Sequence, residues 1–346
     1  MSKSGLPLLS PNELKENEEA KRRLRDVIQR RAGLLVVGAG MSTPLGYPDW
    51  ETLLTKIERL ACAVSAGAGT FTCDPTLREE SPLDYAENMR RHILNGRRIS
   101  EYHSLLLREF EPKPQGHTPS HDLLIELRCA GILTPNYDVC LESALLKSNA
   151  SLSVNLTVDL LRGAEARVSD FLLSLVGRHP PCIAHMHGLY DKPAELILTA
   201  SQYEQAYGLK VLPDGDIVGG QENHSWTSHR RVIWAMMATR ELLFVGFSMK
   251  DPYIRAMLTF ACDGFWRWGQ PVNHIILGLD PENAEETKRT AVAWKEKYAT
   301  ESVFYENPDG KHSALADLLA DLVPRSSRTS AHEINQRFMK VTDRAD

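Results

Sequence analysis

The stretch LLVVGAGMS, from Leu34 to Ser42, decides the fold of this chain. Its apolar half predicts a buried strand, and its two near-adjacent glycines predict a tight turn that leads to a helix near Asp49. Such a turn leaves room for a ligand, and the positive end of a following helix favours an anion such as a dinucleotide's diphosphate. The third glycine of the usual dehydrogenase fingerprint is missing, which argues against an ordinary oxidoreductase. For this segment alone, a plain strand-to-helix turn is an equally good interpretation.

Three later segments favour the ligand-binding interpretation. TPNYD, from Thr134 to Asp138, follows an apolar strand and delivers polar side chains where open α/β sheets bind ligands, although an Asx-type turn uses the same residues. HMHG, from His185 to Gly188, places a histidine after another strand, where it can act as a general base or be structural. VGFS, from Val245 to Ser248, repeats the strand and glycine turn, and Asp251-Pro252 then predicts a capped helix.

In this order, GAGMS with the following YPDW, TPNYD, HMHG and VGFS resemble the motifs of the sirtuin superfamily. The Asn-Tyr-Asp wording and the run FVGFSMKDPYI are similar to the sirtuin-like branch found in bacterial antiphage systems. Members of that branch are NAD hydrolases, often associated with a HerA-type ATPase or an Argonaute. The resemblance therefore implies a Rossmann-like, doubly wound parallel sheet with a helical subdomain, and NAD as the substrate.

The resemblance also implies a role for each motif residue. Asn136 would orient the ribose hydroxyls or an attacking water, and His187 would accept a proton from one of them. Asp138 would hold the nicotinamide carboxamide or shape its pocket. The remaining contacts to NAD are expected from Gly38, Ala39, Gly40 and Ser42 at the diphosphate, from Asp49, which is also a candidate helix cap, and from Gly246 and Ser248 on the adenosine side.

The cysteines argue against a structural metal site. Deacetylase sirtuins carry a four-cysteine zinc ribbon between the His-Gly and Gly-x-Ser motifs, whereas residues 188–261 contain no cysteine here. The six cysteines form no Cys-x-x-Cys pair, and we interpret them as buried free thiols of a reducing compartment. Because the ribbon helps form the acyl-lysine cleft, its absence puts protein deacylation in doubt and leaves the NAD site intact. We therefore expect no metal.

The composition fits a cytoplasmic enzyme. With 42% hydrophobic and 25% charged residues among 346, the chain can bury a substantial core. A net charge of −5 gives no electrostatic footprint for nucleic acid, so direct binding to nucleic acid is not expected. The sequence has no apolar stretch near the roughly 20 residues of a membrane span, and its polar start lacks the apolar core of a signal peptide.

Alternating strand and helix patterns predict the order of elements. A helix is expected from Pro11 to Ala32, where Gly33 would stop it, and a flexible loop from Ala66 to Ser81. Leu196 to Thr199 is expected to form a strand. At the domain level, we expect a catalytic domain over residues 1–323 with a helical insertion at about 66–130, and a polar tail over residues 324–346 with a possible short helix at 331–341.

Three functions stay open. The first is an NAD hydrolase that a partner or an invader signal releases from inhibition. The second is an NAD-dependent protein deacylase or ADP-ribosyltransferase, which the missing ribbon disfavours. The third is a non-catalytic sensor of NAD or an ADP-ribose derivative, but Asn136 and His187 count against it because a binding module needs no base beside the ribose. Because an unrestrained NAD hydrolase would kill its host, control is expected through a homo-oligomer and a co-encoded protein such as a HerA-type ATPase.

Overall fold

The computed structural model describes residues 8–64, 69–148, 157–161, 165–175, 182–218, 226–265, 272–308 and 310–324. The polar tail from residue 325 onward, with the helix predicted at 331–341, lies outside the described residues.

The described strands form one seven-stranded sheet. They are β1 (Gly33–Val37), β2 (Gly131–Thr134), β3 (Thr157–Asp159), β4 (Ile183–His185), β5 (Glu241–Val245), β6 (Asn273–Leu279) and β7 (Thr300–Glu306). Their order is β3-β4-β2-β1-β5-β6-β7, and every pair of neighbours is parallel. Strands β2, β4 and β3 lie on one side of β1, and the chain then crosses over to place β5, β6 and β7 on the other side. The topological switch point therefore lies at β1 and β5, where α/β sheets of this kind bind ligands.

Helices cover both faces of this sheet. They are α1 (Pro11–Gln29), α2 (Trp50–Cys62), α3 (Pro75–Glu80), α4 (Pro82–Asn95), α5 (Ile99–Phe110), α6 (Pro119–Glu126), α7 (Cys140–Ser148), α8 (Glu165–Ser174), α9 (Ala200–Tyr207), α10 (Ser228–Thr239), α11 (Pro252–Phe265), α12 (Ala284–Tyr298) and α13 (Ser313–Leu322). Leu34 and Val36 of β1 belong to a core shared with α9, α10 and α11, whereas Leu35 and Val37 belong to a core shared with α1, α6 and α13. This alternation confirms the predicted doubly wound α/β fold.

A third hydrophobic cluster lies in the helical region that follows β1. Its members come mainly from α2, α4 and α5, and Tyr137 and Leu198 from the loops after β2 and β4 join it. The helical layer therefore packs against the segments that carry the predicted site. α6 contributes Leu124 and Ile125 to the core on the sheet itself. The domain limits, 1–323 with an insertion at about 66–130, stay a prediction. Among the described residues, the structure has no helix that is both long and apolar enough for a membrane span.

Three local predictions are wrong. The first helix ends at Gln29, because Arg31 takes a left-handed conformation with φ of +53°, and Gly33 begins β1 instead of stopping a helix. Part of the loop expected over residues 66–81 is α3, whose N-cap is Asp74. The segment 196–199 pairs with no described strand, since its Ile197 amide donates to the His187 carbonyl oxygen at 3.0 Å.

Other elements were not predicted at all, namely β3, α7, α8 and α13.

The cysteines are free, as predicted, but not all of them are buried. Cys129 and Cys140 are buried, whereas Cys62 and Cys73 are exposed, with their sulfur atoms 3.7 Å apart. The prediction of a fully buried set fails for this pair because Cys62 ends α2 at the protein surface, and Cys73 precedes α3 there.

The turn after β1 packs directly on the turn after β5. The amides of Gly38 and Gly40 donate to the carbonyl oxygens of Val245 and Gly246, each at 3.0 Å. A Cβ atom on Gly38 would lie 2.4 Å from the Gly246 oxygen and 2.8 Å from the Phe247 Cα. Gly246 has a φ of +63°, in the left-handed region that glycine tolerates best. The glycines of both motifs are therefore required for this backbone contact.

Replacing Gly38 with alanine should destabilise the protein. We expect Gly38→Ala to lower the free energy of unfolding in urea by about 3 kcal/mol, at the upper end of the range for overpacking, because backbone atoms must move to admit the methyl group. Ala39→Ser is the matched control: it adds one atom to the exposed neighbouring residue and should change the free energy by less than about 0.5 kcal/mol. Equal losses in the two variants would contradict the close approach of the turns.

Candidate functional site

Asn136 and Ser42 meet at the carboxyl ends of β1 and β2. The Thr134 hydroxyl donates to the Val37 carbonyl oxygen at 2.8 Å and accepts the Asn136 backbone amide at 3.1 Å. The side-chain amide of Asn136 donates to the Ser42 hydroxyl at 3.5 Å. Thr134, Asn136 and Ser42 are all buried. The structure thus brings together two residues that the sequence assigned to separate motifs.

The turn after β1 offers a ligand fewer backbone donors than the sequence predicts. The amides of Gly38 and Gly40 donate to the β5 turn, and the Ser42 amide donates to the Ala39 carbonyl oxygen at 2.9 Å. Ala39 and Gly40 are exposed, whereas Gly38 is buried. Binding of a diphosphate by these four residues stays a prediction, and the surface that the turn presents to solvent is the edge formed by Ala39 and Gly40.

Asp49 caps the helix that follows this turn. The chain passes through two short 3₁₀ helices, Ala39–Met41 and Thr43–Leu45, before α2 begins at Trp50. The Asp49 carboxylate accepts the Thr52 amide at 2.8 Å. The predicted capping role is therefore confirmed, and a contact between Asp49 and NAD stays a prediction.

Asp138 and Tyr137 are both anchored within the protein. The Asp138 carboxylate accepts the Cys140 amide at 3.0 Å, which is the Asx-type turn that the sequence left open. The Tyr137 hydroxyl donates to the Ile197 carbonyl oxygen at 2.6 Å and so ties the loop after β2 to the loop after β4. Asp138 is buried, and its role toward nicotinamide stays a prediction.

His185, the first histidine of HMHG, supports the backbone of Asn136. Its ring is fully buried, with Nδ1 2.8 Å from the Asn136 carbonyl oxygen and Nε2 2.8 Å from the Glu142 carboxylate. Both partners are acceptors, so both ring nitrogens must donate, which requires the charged imidazolium. Burial by itself would lower the pKa of His185, but the Glu142 carboxylate and the two hydrogen bonds outweigh burial and raise this pKa.

His187, the second histidine, lies in a very different environment. Its ring is 2% exposed, with Nε2 3.1 Å from the Tyr207 hydroxyl and Nδ1 3.4 Å from the Tyr203 hydroxyl. Burial lowers the pKa of His187 to about 3, so the ring is neutral. Both ring nitrogens are covered by tyrosine hydroxyls in this structure.

Strand register fixes where Asn136 and His187 lie. Thr134, the last residue of β2, pairs with His185, the last residue of β4, and Asn136 and His187 each lie two residues beyond the end of their strand. Within the described part of the chain, no hydrogen bond joins these two residues directly. Asn136 contacts the β1 turn, while His187 faces α9.

Gly246 and Ser248 lie on the other side of the switch point. Gly246 contacts the β1 turn through its carbonyl oxygen, and Ser248 is exposed after the end of β5. A contact of either residue with adenosine stays a prediction. Further on, the Asp251 carboxylate accepts the amides of Tyr253 and Ile254 at 2.9 and 3.0 Å, so the predicted cap of α11 is confirmed.

Sequence reasoning missed His185, Glu142, Tyr203 and Tyr207. The motif HMHG itself contained the signal for His185, since its first histidine ends the apolar strand β4. The tyrosines carried no motif signal. Over the described ranges, no group of three or more His, Cys, Asp or Glu side chains could hold a metal ion.

A family model described as a SIR2-like domain matches residues 130–302, which is half of the chain.

Similar curated proteins include two named NAD(+) hydrolase ThsA. The one from Bacillus cereus (strain MSX-D12) is 25% identical over 237 residues, which cover 68% of this chain and 40% of the relative. The one from Acinetobacter baumannii (strain 532279) is 26% identical over 225 residues, 65% of this chain and 38% of the relative. Defense-associated sirtuin 2 of Bacillus subtilis is 25% identical over 236 residues, 66% of this chain and 19% of the relative. The match thus spans about two fifths or less of the length of these relatives.

The pairing of His185 with Glu142 should make stability depend on pH. A histidine whose pKa is raised on folding stabilises the protein fully below its unfolded pKa of about 6.5, and this contribution is lost as the pH rises through the folded pKa. We therefore expect Glu142→Gln to lower the free energy of unfolding by about 1–3 kcal/mol at pH 6, the range for a hydrogen bond to a charged group, and by clearly less at pH 9. Glu126→Gln removes the same charge from an exposed position on α6 and should show no such difference. An equal loss at both pH values in Glu142→Gln would show that His185 is not charged.

Proposed function

The chain belongs to the family of SIR2-like domains, and on that premise we propose that it is an NAD hydrolase that cleaves the bond between nicotinamide and ribose. The products would be nicotinamide and ADP-ribose. Two of the similar proteins carry the name NAD(+) hydrolase and a third is named a defence-associated sirtuin, which supports a role of the reaction in defence, and we propose that this defence is directed against phages.

One observation carries the proposal: the contact of Asn136 with Ser42 at the switch point. Thr134 holds Asn136 against β1, and the charged His185 holds its carbonyl oxygen from the other side. The side-chain amide of Asn136, which can both donate and accept hydrogen bonds, is thereby fixed beside the Ser42 hydroxyl, where the motifs GAGMS and TPNYD meet. This is an arrangement that can orient ribose hydroxyls or a water molecule.

Cleavage of this bond requires a well-positioned substrate and water more than it requires a strong acid. When the bond between ribose C1′ and the pyridinium nitrogen breaks, its electron pair neutralises the positive charge of nicotinamide, which leaves without protonation. The ribose carbon develops oxocarbenium character, and the oxygen of a water molecule forms the new bond to C1′. Its proton must pass to a base, and His187, whose ring is neutral, is the proposed acceptor; contact with substrate and water must raise its pKa from about 3 for the ring to hold that proton. To act, His187 must exchange its contact with the Tyr207 hydroxyl for a contact with substrate.

The remaining residues are proposed to bind the rest of NAD. Asp138 would shape the nicotinamide pocket, and Ser42 would contact the diphosphate or the ribose next to Asn136. The exposed edge of Ala39 and Gly40, with Asp49 and the β5 turn residues Gly246 and Ser248, would contact the diphosphate and adenosine. No metal has a role in this mechanism.

Control of the activity is proposed to come from assembly. An active hydrolase of an essential cofactor has to be restrained, and the closed environment of His187 is compatible with a resting form. We propose a homo-oligomer whose NAD cleavage rises when a co-encoded protein, such as a HerA-type ATPase, binds to it. An oligomer is tested by sedimentation, and a monomer that is fully active alone would contradict this part.

Substitution of Asn136 or His187 should abolish most of the NAD cleavage. We expect Asn136→Ala and His187→Ala to lower turnover by about 10²–10⁴-fold, the usual size of a general-base contribution, with the melting transition retained. The measurement is nicotinamide release from NAD. Asn95→Ala and His103→Ala, on α4 and α5, are the matched controls and should cleave NAD like the parent.

The same assay separates the alternative functions. A deacylase or transferase would release nicotinamide only when an acyl-lysine peptide or an acceptor protein is added, and a sensor would bind NAD without releasing it. Turnover in both active-site variants equal to that of the parent would show that the catalytic assignment is wrong.

Turnover should not depend on a metal. The described residues contain no cluster of potential metal ligands, so prolonged treatment with EDTA is expected to leave both the melting temperature and the rate of nicotinamide release unchanged. Stoichiometric zinc in elemental analysis, or loss of activity that added zinc restores, would contradict this expectation.

A further inference from the structure

A continuous chain of hydrogen bonds passes through His187. The Tyr203 hydroxyl donates to the Asp251 carboxylate at 2.9 Å and lies 3.4 Å from His187 Nδ1. On the other side of the ring, the Tyr207 hydroxyl lies 3.1 Å from Nε2. The four groups come from the loop after β4, from α9 and from the cap of α11, so only the complete fold brings them together.

The directions of these hydrogen bonds follow from proton counting. A carboxylate can only accept, so Tyr203 gives its single hydroxyl proton to Asp251. Toward His187, the Tyr203 oxygen can then only accept, which requires the ring proton to be on Nδ1. A neutral imidazole carries one N–H, so Nε2 has a free lone pair, and the Tyr207 hydroxyl donates to it.

We propose that Asp251, acting through Tyr203, is a positioning residue that fixes His187 as the tautomer protonated on Nδ1 and thereby makes Nε2 the basic nitrogen. The assignment of Nε2 as the catalytic base rests on the proposed NAD hydrolysis, whereas the assignment of the tautomer does not. Among the described residues, Asp251 makes no direct hydrogen bond to the His187 ring, so its effect is transmitted by the Tyr203 hydroxyl.

Packing of aromatic rings holds these hydrogen-bonded side chains in a single geometry. The Tyr203 ring stacks on Tyr253 with centroids 4.7 Å apart, and the edge of the His187 ring contacts Tyr203 at 4.9 Å. Tyr203 and Tyr207 stack at 6.0 Å, and His229 contacts the Tyr207 ring edge-on at 4.9 Å. The Tyr203 and Tyr207 rings pack against His187 and limit its rotation, so the direction of the hydrogen bond between Tyr203 and Asp251 decides its tautomer.

Asp251→Asn separates the charge of this residue from its structural role. An asparagine keeps the oxygen that caps α11 by accepting the amides of Tyr253 and Ile254. Its NH₂ group, in place of the second oxygen, donates to the Tyr203 hydroxyl and so turns the proton of Tyr203 toward His187. The ring then has to accept at Nδ1 and carry its proton on Nε2.

The experiment is ¹⁵N NMR of the full chain labelled at histidine, in which protonated and unprotonated ring nitrogens have different chemical shifts. The His187 signals are assigned by their loss in His187→Gln. The parent should show protonated Nδ1, whereas Asp251→Asn and Tyr203→Phe should both show a shift toward protonated Nε2. Tyr253→Phe, which changes the neighbouring stacked tyrosine, is the matched control and should retain protonated Nδ1.

Turnover of NAD by the same variants gives a second measurement. Asp251→Asn and Tyr203→Phe should lower kcat by about 10²-fold with little change in KM, because the base presents the wrong nitrogen, and Tyr253→Phe should keep the parent's kcat.

The proposal is overturned if the parent carries its proton on Nε2, or if Asp251→Asn leaves protonated Nδ1 in place. A tautomer shift in a chain that cleaves NAD neither alone nor with its co-encoded protein would support the positioning by Asp251 and reject the proposed hydrolysis. If Asp251→Asn lacks a cooperative melting transition, Tyr203→Phe decides the question by the same signals, since the cap of α11 is intact in that variant.

Discussion

The contact between the β1 and β5 turns is the constraint on which the rest of the structure depends. Gly38 and Gly246 approach so closely that neither turn can carry a side chain there. This contact joins the two sides of the doubly wound sheet at the switch point, and it sets the position of Ser42, four residues after Gly38. Asn136 is then placed by its bonds to Ser42 and, through Thr134, to β1. The backbone contact between the two turns therefore positions the polar side chains of the candidate site.

The two histidines of HMHG differ in protonation because their surroundings differ. His185 lies between a carbonyl oxygen and a carboxylate, so it is held charged and acts as a structural clamp on Asn136. His187, two residues later, lies among tyrosine rings, where burial keeps it neutral and a tyrosine hydroxyl faces each ring nitrogen. The same side chain thus serves as a fixed cation and as a candidate base, and the sequence motif HMHG does not distinguish the two roles.

The sequence predicted features that depend on neighbouring residues. The glycine turns, the caps at Asp49 and Asp251 and the apolar strands β1, β2 and β5 are all encoded within a few positions. Features that depend on distant residues were missed. Glu142 and His185 are 43 residues apart in the sequence, and Tyr203 and Asp251 are 48 residues apart, so no local pattern indicates either pair. The segment 196–199 has the composition of a strand, but its Ile197 backbone bonds to His187 and Tyr137, so tertiary contacts overrode local propensity.

The spread of the site along the chain has a consequence for synthesis on the ribosome. Ser42, Asn136, His187, Tyr203 and Asp251 lie on segments that emerge one after another, and the turn that orders Ser42 needs the backbone of Gly246. A nascent chain that has not reached Gly246 therefore lacks both the support of the first turn and Asp251, the residue proposed to orient His187. A proteolytic fragment that ends before this point lacks them as well. Under the proposed function, incomplete copies of this protein would be harmless to the cell that makes them.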